Sequence, residues 1–518
     1  MTESNLPIFP PTGKSAALHE RCKSGTALNA DEASADVIIV GTGAGGAVAG
    51  ARLARKGKRV IFLEVGGSFT KRDFQRKSLV WSTRNLYAGS GLQISLGSPP
   101  ILIPQGQCVG GSTVLNSGIC FRPPTQRLEQ WVKQVGADWL SPAAMKPYVS
   151  EIWERLAIAP THPGIGRRNN DVLRLGLERI GVEHDWIDRN APGCIGCGVC
   201  HLGCPSGGKA SVDKSFLPEA MHYGAHIFTN TRAEGVIVEN GRATGVEAVV
   251  IDPETKLPLK TIRLKAERVI LAASAFGTPL ILEKSGIESA ALGRHLSLHP
   301  GGGVLAEFSD PVMMWDGVPQ GYWGKDPKNP HVIIESANAG AAELYTLLGK
   351  AGGTGASLAK RYPYFALAGA MLCDEGEGSV SLSSGFKPLI QYDLTAKDVS
   401  RLKEGMKTVV RAFFAAGAVS VCPLAHPSTF FDREEDALAA VDAVRGPADF
   451  SHIHASHPHG SCRMGPLNGP YAGVVDMNGM VHGVDDLFVI DGSILPSTLG
   501  VNPQVTIMAL ATALAERL

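Results

Sequence analysis

Three short stretches of this chain carry residue types whose spacing could support chemistry. The first is the glycine-rich turn Gly41-x-Gly43-x-x-Gly46, which directly follows the apolar run 37–40. Gly41 permits a tight turn, Gly43 lets the backbone approach a pyrophosphate, and Gly46 lets a helix pack closely on a strand. The start of that helix offers free N–H groups and a positive dipole end to the anion.

Glu64 extends this first stretch into a pattern typical of dinucleotide-binding proteins. It lies 23 residues after Gly41, at the end of a second predicted buried strand, 59–63. A carboxylate at about this spacing accepts hydrogen bonds from the adenosine ribose hydroxyls. Because strand, glycines, helix, strand and acid follow in order, we expect a bound dinucleotide, with FAD and NAD both open at this point.

The second stretch places Cys194, Cys197, Cys200 and Cys204 within eleven residues, followed by Pro205. The spacing C-x2-C-x2-C-x3-C-P is that of bacterial ferredoxins and predicts an iron–sulfur cluster. Because the run occurs once, a [4Fe-4S] cluster would need Cys204 to fold back or a distant fourth cysteine, and [3Fe-4S] is the other form. Zinc, a disulfide and simply packed thiols are the alternatives.

The third stretch is 456–465, which contains two histidines, His457 and His459, beside glycines and hydroxyl residues. Further on, a buried strand ends at Asp491-Gly492, and Asn502-Pro503 opens the last helix. Asn502 suits the cap, with its side chain free to face a ligand, and Pro503 suits the first helical position. The alternative for 456–465 is a loop with solvated or packed imidazoles.

The elements that must position these residues divide the chain into two kinds of region. Short strands near 225–251, and a strand–turn–helix at 268–285, belong beside the glycine turn, as does a second glycine turn at Gly110-Gly111. From about 300 to 445, strands at 304–308, 332–335, 365–372 and 379–382 predict an antiparallel sheet with helices over it. A sheet of this kind fits a substrate-binding domain.

Composition limits the functional classes. Lys+Arg and Asp+Glu number 49 each in 518 residues, so the net charge gives no reason to expect nucleic acid or an anionic membrane as partner. We find no apolar run of the ~18 residues that a membrane span needs. Residues 1–35 lack the apolar core of a signal peptide, so we expect a cytoplasmic protein.

Taken together, the motifs resemble those of the glucose–methanol–choline (GMC) oxidoreductases, flavoenzymes that oxidise alcohols. The likeness covers about residues 36–518 and rests on five blocks in order: VGTGAGGAVAGARLA with Glu64, GGSTVLNSG, LAASAFGTPLILEKSGI with GRHLSLHP, SHPHGSCRMG, and VIDGSILPSTLGVNPQVTIMALA. The spacing of HPHGSC and GVNPQVTI is most similar to the cholesterol-oxidase branch and to bacterial long-chain alcohol dehydrogenases.

The resemblance implies an α/β fold: a Rossmann-like FAD-binding domain interleaved with an α+β substrate domain on an antiparallel sheet. The expected division is an arm at 1–35, an FAD-binding domain at 36–125, 205–300 and 450–518, a substrate-binding domain at 126–193 and 301–449, and a cysteine segment at 194–204.

The resemblance also implies FAD rather than NAD, held non-covalently because no histidine lies near the GGST block. The candidate cofactor-binding residues are Gly41, Gly43, Gly46, Glu64, Gly110, Gly111, Ser112, Asn116, Ala233, Asp491, Gly492 and Pro503.

The family's catalytic pair falls on His457 and Asn502. The resemblance implies that His457 takes the alcohol proton as general base, for which an ordinary pKa near ~6.5 suits neutral pH, while the carbinol hydride passes to flavin N5. Asn502 would orient the oxygen and stabilise its developing charge. His459 would support the pair from behind.

A cluster beside a flavin favours a dehydrogenase that passes electrons to a quinone or redox protein. An oxygen-using oxidase, a non-catalytic electron carrier and a lyase on the same fold are the alternatives. A hydrophobic or aromatic alcohol is the expected substrate. The residues that suggest its apolar pocket, or alternatively only core, are Val312, Met313, Met314, Trp315, Tyr322, Trp323, Leu344, Tyr345 and Leu347.

Overall fold

A computed structural model of the chain describes residues 22–28, 34–76, 78–341, 344, 348, 360–425 and 429–518. The predicted arm at 1–35 lies only partly within these residues, and Tyr345 and Leu347 lie outside them. The helices are α1 Ala44–Arg55, α2 Lys71–Phe74, α3 Leu79–Leu86, α4 Thr125–Val135, α5 Pro142–Arg155, α6 Pro163–Ile180, α7 Phe216–His222, α8 Ser274–Lys284, α9 Ala396–Ala415, α10 Glu434–Asp442 and α11 Gln504–Arg517.

The strands fall into two large sheets and two short pairs within the described residues. They are β1 Lys23–Ser24, β2 Ser34–Val40, β3 Val60–Leu63, β4 Ala159–Pro160, β5 Glu183–Trp186, β6 Asp188–Arg189, β7 His226–Thr229, β8 Thr231–Glu239, β9 Arg242–Ile251, β10 Pro258–Leu271, β11 Gly301–Glu307, β12 Tyr322–Lys325, β13 Val332–Ala337, β14 Phe365–Leu372, β15 Ser379–Ser383, β16 Lys387–Gln391, β17 Ser420–Pro423, β18 Ile453–His454 and β19 Leu487–Val489.

The first sheet has the order β1-β7-β3-β2-β10-β9-β8, with β19 also paired to β10. The strands from β1 to β10 and β19 are parallel, whereas β10, β9 and β8 are antiparallel. Val37–Val40 is an unbroken apolar run because helices cover both faces of a parallel sheet. Strand β1 lies within the predicted arm at 1–35 and pairs with β7, so these residues of the arm belong to the sheet.

Helix α1 follows β2 and lies closely against the sheet. A Cβ on Gly46 would meet the Gly41 carbonyl oxygen at 2.2 Å, and one on Gly45 would meet the Ile490 carbonyl oxygen at 2.0 Å. These positions therefore require glycine, and they place the first turn of α1 against the end of β19.

The second sheet is antiparallel, in the order β17-β11-β14-β13-β12-β5, with β18 also paired to β11. Successive side chains of a strand point to opposite faces. One face, with Val304, Ala368 and Ile334, belongs to a core that includes residues of α6 and α9. The other face carries Leu305 and Leu367, which pack into a separate apolar cluster.

Several predicted elements differ from the structure. The predicted strand 379–382 is not in the second sheet, because β15 pairs only with β16 as a separate two-stranded unit. Strand β10 begins at Pro258, ten residues before the predicted start; its first half alternates polar and apolar residues and escaped a search for buried runs. The helix predicted at 280–285 spans Ser274–Lys284. The described helices are all too short or too polar to span a bilayer.

Candidate active site

The glycine turn at residues 41–46 forms the N-terminus of α1. Gly41 has a φ of +100°, and a Cβ there would meet the Ala272 carbonyl oxygen at 2.3 Å. A Cβ on Gly43 would meet no heavy atom within 4 Å, so the backbone faces open space. No side chain caps α1 and its first turn has no acidic residue. These free amides fit the diphosphate of a dinucleotide.

The GGST block lies directly across from this turn. A Cβ on Gly111 would meet Gly43 Cα at 3.0 Å, and the Gly110 amide donates to Thr42 Oγ1 at 3.1 Å. Residues Gly111–Val114 form a single 3-10 turn. Ser112 Oγ accepts a hydrogen bond from the Gly106 amide at 2.9 Å and holds the turn closed.

Glu64 ends β3 and is 5% exposed. Its Oε2 accepts hydrogen bonds from the Thr42 amide and hydroxyl at 3.1 and 2.5 Å, and its Oε1 accepts from the Gly66 amide at 2.9 Å. The carboxylate is thus oriented by the chain itself, and its remaining lone pairs suit a ribose hydroxyl. Ala233 is on β8, the strand whose first residue contacts Glu64. The Thr231 amide, two residues before Ala233, donates a hydrogen bond to the Glu64 carbonyl oxygen.

Asp491 and Gly492 follow β19 and lie against α1 and α8. Asp491 accepts from the Ser274 amide at 2.9 Å, the Thr278 hydroxyl at 2.7 Å and the Ser493 amide at 2.8 Å. The Gly492 carbonyl oxygen accepts from the Gly460 amide at 3.2 Å. The strand end and the histidine loop are therefore joined directly.

His457 and Asn502 are brought together, although 44 residues separate them in the sequence. Asn502 Nδ2 lies 3.2 Å from His457 Nε2. Helix α11 begins at Gln504 and is preceded by Pro503, so Asn502 does not cap it as predicted. The Asn502 side chain is instead turned toward the imidazole.

The predicted pKa of His457 is wrong. Burial, followed by the neighbouring His459 and His454, lowers the pKa of His457 to about 3. Burial likewise lowers the pKa of His459 to about 4. Near neutral pH both rings are therefore uncharged, and His457 holds an extra proton only weakly.

Three further residues make contacts around this pair: His459, which was expected to support it, and His299 and Asn116, whose contacts were not predicted. His459 Nδ1 lies 2.6 Å from the His457 carbonyl oxygen, and its Nε2 accepts from the Leu499 amide at 3.2 Å. His299 Nδ1 lies 3.4 Å from His457 Nδ1, and its Nε2 accepts from the Gly500 amide at 2.9 Å. Its place in the block GRHLSLHP was a usable signal. Asn116 Nδ2 donates to Gln504 Oε1 at 2.9 Å, joining the GGST block to α11.

Glu335 is the functional candidate that the sequence did not reveal. It is 6% exposed on β13, and its Oε2 accepts from Gln320 Nε2 at 3.0 Å. Burial raises the pKa of Glu335 to about 7, and Asn502 opposes this by hydrogen bonding. We call Glu335, Asn502, His457, His459 and His299 the imidazole cluster.

The four cysteines Cys194, Cys197, Cys200 and Cys204 line one small cavity together with Arg189 and Lys209. We call this set the thiol cavity. Arg189 lies 3.5 Å from the Cys194 and Cys200 sulfurs. None of the ten cysteines, all within the described residues, forms a disulfide. Among the described residues, no three His, Cys, Asp or Glu side chains are grouped so that they could hold a metal ion.

Family models match three parts of the chain: an FAD binding domain at residues 36–84, and the two GMC oxidoreductase models at residues 83–301 and 374–511. The matches cover most of the chain. The protein therefore belongs to the GMC oxidoreductase family, as the sequence motifs indicated, and is an FAD-dependent oxidoreductase with the predicted fold.

Curated relatives agree with this assignment. An uncharacterised GMC-type oxidoreductase of Mycobacterium tuberculosis is 34% identical over 500 residues, covering 95% of this chain and 77% of the relative. One from Sinorhizobium fredii is 32% identical, covering 95% and 96%. A long-chain-alcohol oxidase of Arabidopsis thaliana is 31% identical, covering 93% and 67%.

Solved structures share the fold at low sequence identity. Pyridoxine 4-oxidase has a TM-score of 0.70 at 17% identity, covering 93% of this chain and 98% of that one. Formate oxidase has a TM-score of 0.71 at 16% identity, covering 94% and 98%.

Proposed function

We propose that this protein oxidises a hydrophobic alcohol to its aldehyde or ketone with FAD. His457 and Asn502 bind the alcohol oxygen. The observation that carries this proposal is the 3.2 Å approach of Asn502 Nδ2 to His457 Nε2, from two loops joined to the dinucleotide turn. A hydroxyl oxygen has both a donor and acceptor sites, which suit this pair of polar groups.

The residues that would hold FAD come from chain segments that contact one another. The 41–46 turn and the N-terminus of α1 hold the diphosphate, Glu64 takes the ribose, and Gly110, Gly111 and Asn116 lie by the flavin. Gly492 and Asp491 lie by the ribityl-pyrophosphate part of FAD. FAD, when bound, supplies the acceptor for the carbinol hydride.

The protein's own contribution is to bind and orient the alcohol oxygen and to exclude water. Neutral His457 and Asn502 fix the oxygen so that the carbinol C–H faces the cofactor. Polar groups aimed at the oxygen also stabilise the negative charge that develops there. Removing one such group typically lowers the rate by on the order of 10²–10³.

A hydrophobic alcohol is favoured by the face of the second sheet that carries Glu335. Leu305 and Leu367 lie on this face and pack with Met314 and Leu344. Of the other residues predicted for the pocket, Val312 and Tyr322 belong to the core shared with α9. The name long-chain-alcohol oxidase of the Arabidopsis relative supports a substrate of the same class.

For the electrons, we propose an acceptor other than oxygen, such as a quinone or a redox protein. The thiol cavity supports this, because four cysteines at ferredoxin spacing line one space beside two buried cations. Among the described residues no three metal-binding side chains are grouped to hold a metal ion, so the cluster itself stays a prediction. The relatives called oxidases favour the rival, in which oxygen reoxidises the flavin to release hydrogen peroxide.

The central test is anaerobic mixing of the purified flavoprotein with a series of primary and secondary alcohols. Bleaching of the flavin absorption, with an aldehyde or ketone product, is expected for apolar alcohols and is expected to be at least ~100-fold slower in His457→Ala. Absence of both bleaching and product in the wild type would indicate an electron carrier, and full activity of the variant would show that His457 does not act on the alcohol. Turnover without any flavin bleaching would indicate a lyase.

A separate test addresses the acceptor. Iron and acid-labile sulfide in the purified protein, together with reoxidation by quinone faster than by air, would support the dehydrogenase. Stoichiometric hydrogen peroxide and no iron would support the oxidase and leave alcohol oxidation intact.

A further inference from the structure

The face of the second sheet that carries Glu335 has glycines in the interior of its strands. Gly369 on β14 pairs with Glu335 on β13 and with Gly303 on β11. The nearest atom that a Cβ on Gly369 would meet is the Gly302 carbonyl oxygen at 3.6 Å, an ordinary van der Waals distance. A side chain would therefore fit at this position, and the strand carries none. Glycine inside a strand often marks a place where a ligand approaches the backbone closely.

Apolar side chains border this open position along the sheet. Leu367 and Met371 flank Gly369 on β14 and share its face, because side chains two residues apart point to the same side. They are 6% and 8% exposed. Met371 pairs with Gly301 on β11, so a second glycine continues the floor toward the next strand. We call the space over Gly369 and Gly301 the glycine trough.

His454 lies at the far end of the glycine trough. It pairs with Gly301 across β18 and β11, which places it on the same face as Glu335. A Cβ on Gly301 would be 3.7 Å from His454 Cε1, so the imidazole ring leans over the glycine. Because β13, β14, β11 and β18 are successive neighbours, three strand spacings, about 14 Å, separate Glu335 from His454 across the sheet.

The His454 ring faces the interior of the protein. His454 is exposed, yet burial lowers its pKa to about 4. A side chain that is accessible and still enclosed by protein faces an internal cavity rather than the outer surface. His454 is also among the neighbours that lower the pKa of His457, so this cavity extends toward the pair that binds the alcohol oxygen.

A second imidazole accompanies His454. The rings of His452 and His454 stack, with centroids 5.9 Å apart and planes inclined by 25°. We call these two residues the distal pair. Burial lowers both pKa values, and no hydrogen bond from the described residues reaches either ring. Each neutral imidazole has one N–H donor and one acceptor nitrogen. Enclosed polar groups normally have partners, so the distal pair indicates a ligand with a polar group of its own.

We propose that the substrate is an apolar alcohol that carries a second hydrogen-bonding group, and that the distal pair binds this group. The reactive hydroxyl lies between His457 and Asn502, and the apolar body crosses the glycine trough. The second group, a hydroxyl or a carbonyl oxygen, bonds to the distal pair. A plain long-chain alcohol would leave the distal pair without a partner. This inference rests on the proposed alcohol oxidation and adds a substrate class to it.

The first experiment compares α,ω-diols with monoalcohols of equal chain length, with kcat/KM counted per hydroxyl group. Wild type should prefer the diol by ~3–10-fold once the chain is long enough to cross the glycine trough, because one net hydrogen bond is gained. The shortest diols, whose second hydroxyl stays beside the first, should show no preference. Equal values at every chain length would overturn the proposal.

Variants at the distal pair test the same assignment. His454→Phe keeps a ring but removes both polar nitrogens, so the preference for the diol should disappear. His454→Gln keeps a donor and an acceptor and should retain part of the preference, which a merely structural role of the ring would not produce. His226→Phe, at an exposed histidine of β7 in the first sheet, is the matched control and should keep the wild-type preference. Full preference in H454F, or its loss in H226F, would contradict the assignment.

Gly369→Val tests the glycine trough separately. The added side chain fills the floor, so kcat/KM for a long alcohol should fall relative to that for propanol by on the order of 10-fold. The ratio within one variant is independent of how much of that variant folds. An unchanged ratio would show that the substrate does not cross β14.

Calorimetric titration of the purified flavoprotein separates this inference from the proposed function. If no alcohol bleaches the flavin, but the diol binds more tightly than the monoalcohol in wild type and not in H454F, the proposed oxidation fails while the distal site stands. If both alcohols bleach the flavin with equal kcat/KM at every chain length, the oxidation stands and the distal site fails.

Discussion

The imidazole cluster and the thiol cavity are both buried, yet the imidazole rings are uncharged whereas the thiol cavity keeps a charged guanidinium. Burial lowers the pKa values of His457 and His459 to about 3 and about 4, so no cation remains there. In the thiol cavity, burial would lower the pKa of Arg189, but Cys200 and Cys194 outweigh it and raise that pKa. Burial alone therefore does not decide charge; the polarity of the nearest partner does.

This contrast gives each region its own chemistry. The imidazole cluster has uncharged rings beside one buried carboxyl group. In the thiol cavity the effect differs from one cysteine to another, since burial raises the pKa of the Cys197 thiol. For Cys204, burial would raise the pKa, but the Ser206 hydroxyl and then Lys209 and Lys214 lower it overall.

The largest expected effect comes from removing the polar ring in the imidazole cluster. His457→Gln should lower kcat/KM for an alcohol by on the order of 10²–10³, because one group that binds the developing oxyanion is changed. Stopped-flow bleaching of the flavin measures this. Thiol reactivity in the cavity should be the same as in wild type, and an altered thiol count would show that the two regions are not independent.

The next effect is on stability as the pH falls. His459 is fully buried, and its folded pKa of about 4 lies below the ordinary 6.5. The unfolded chain therefore binds more protons between these values, so stability is complete above about pH 6.5 and is lost as the pH falls toward 4. The loss from this ring is ~3 kcal/mol. Urea unfolding at pH 7 and pH 4 measures it, and His459→Asn should reduce the dependence while the other buried histidines, His457 and His454, keep theirs.

A smaller effect is expected for Arg189→Met in the thiol cavity. The Arg189 Nε donates to the Ser117 carbonyl oxygen at 2.7 Å, and the variant leaves this buried acceptor without a donor. We expect a loss of about 1–3 kcal/mol in unfolding free energy. Urea unfolding measures this loss. An unchanged free energy of unfolding would mean that the Ser117 carbonyl oxygen finds another donor in the variant.

The smallest effect is expected for Ser206→Ala. The Ser206 hydroxyl lies 3.5 Å from the Cys204 sulfur and lowers its pKa. Its loss should raise the pH at which Cys204 reacts with iodoacetamide while changing the unfolding free energy by less than about 1 kcal/mol. Threonine at this position is the matched control, since it keeps the hydroxyl.

The features that could be predicted best from the sequence are those formed by contiguous residues. The turn at 41–46 with its flanking strands, and the blocks that bear His457 and Asn502, are local patterns with known geometry. Their meeting at 3.2 Å follows from the family resemblance rather than from any local rule.

Features that depend on distant partners could not be read in this way. Glu335 is a lone acid in the strand sequence VIIESA, which is also what a solvent-facing strand position looks like, and its partner Asn502 lies 167 residues away. The lowered pKa of His457 depends on burial by several segments. Arg189 and Lys209 flank the cysteine run, but only the fold turns them into the same cavity.

Lys209 connects the thiol cavity with the GGST block. Its Nζ donates to the Val114 and Asn116 carbonyl oxygens at 2.7 and 2.6 Å, in the turn that faces the dinucleotide glycines, and Lys209 also lines the thiol cavity. A change of charge among the cysteines must therefore alter the electric field at this turn. The absorption spectrum of a flavin held there, as proposed, should then shift when the cysteines are alkylated.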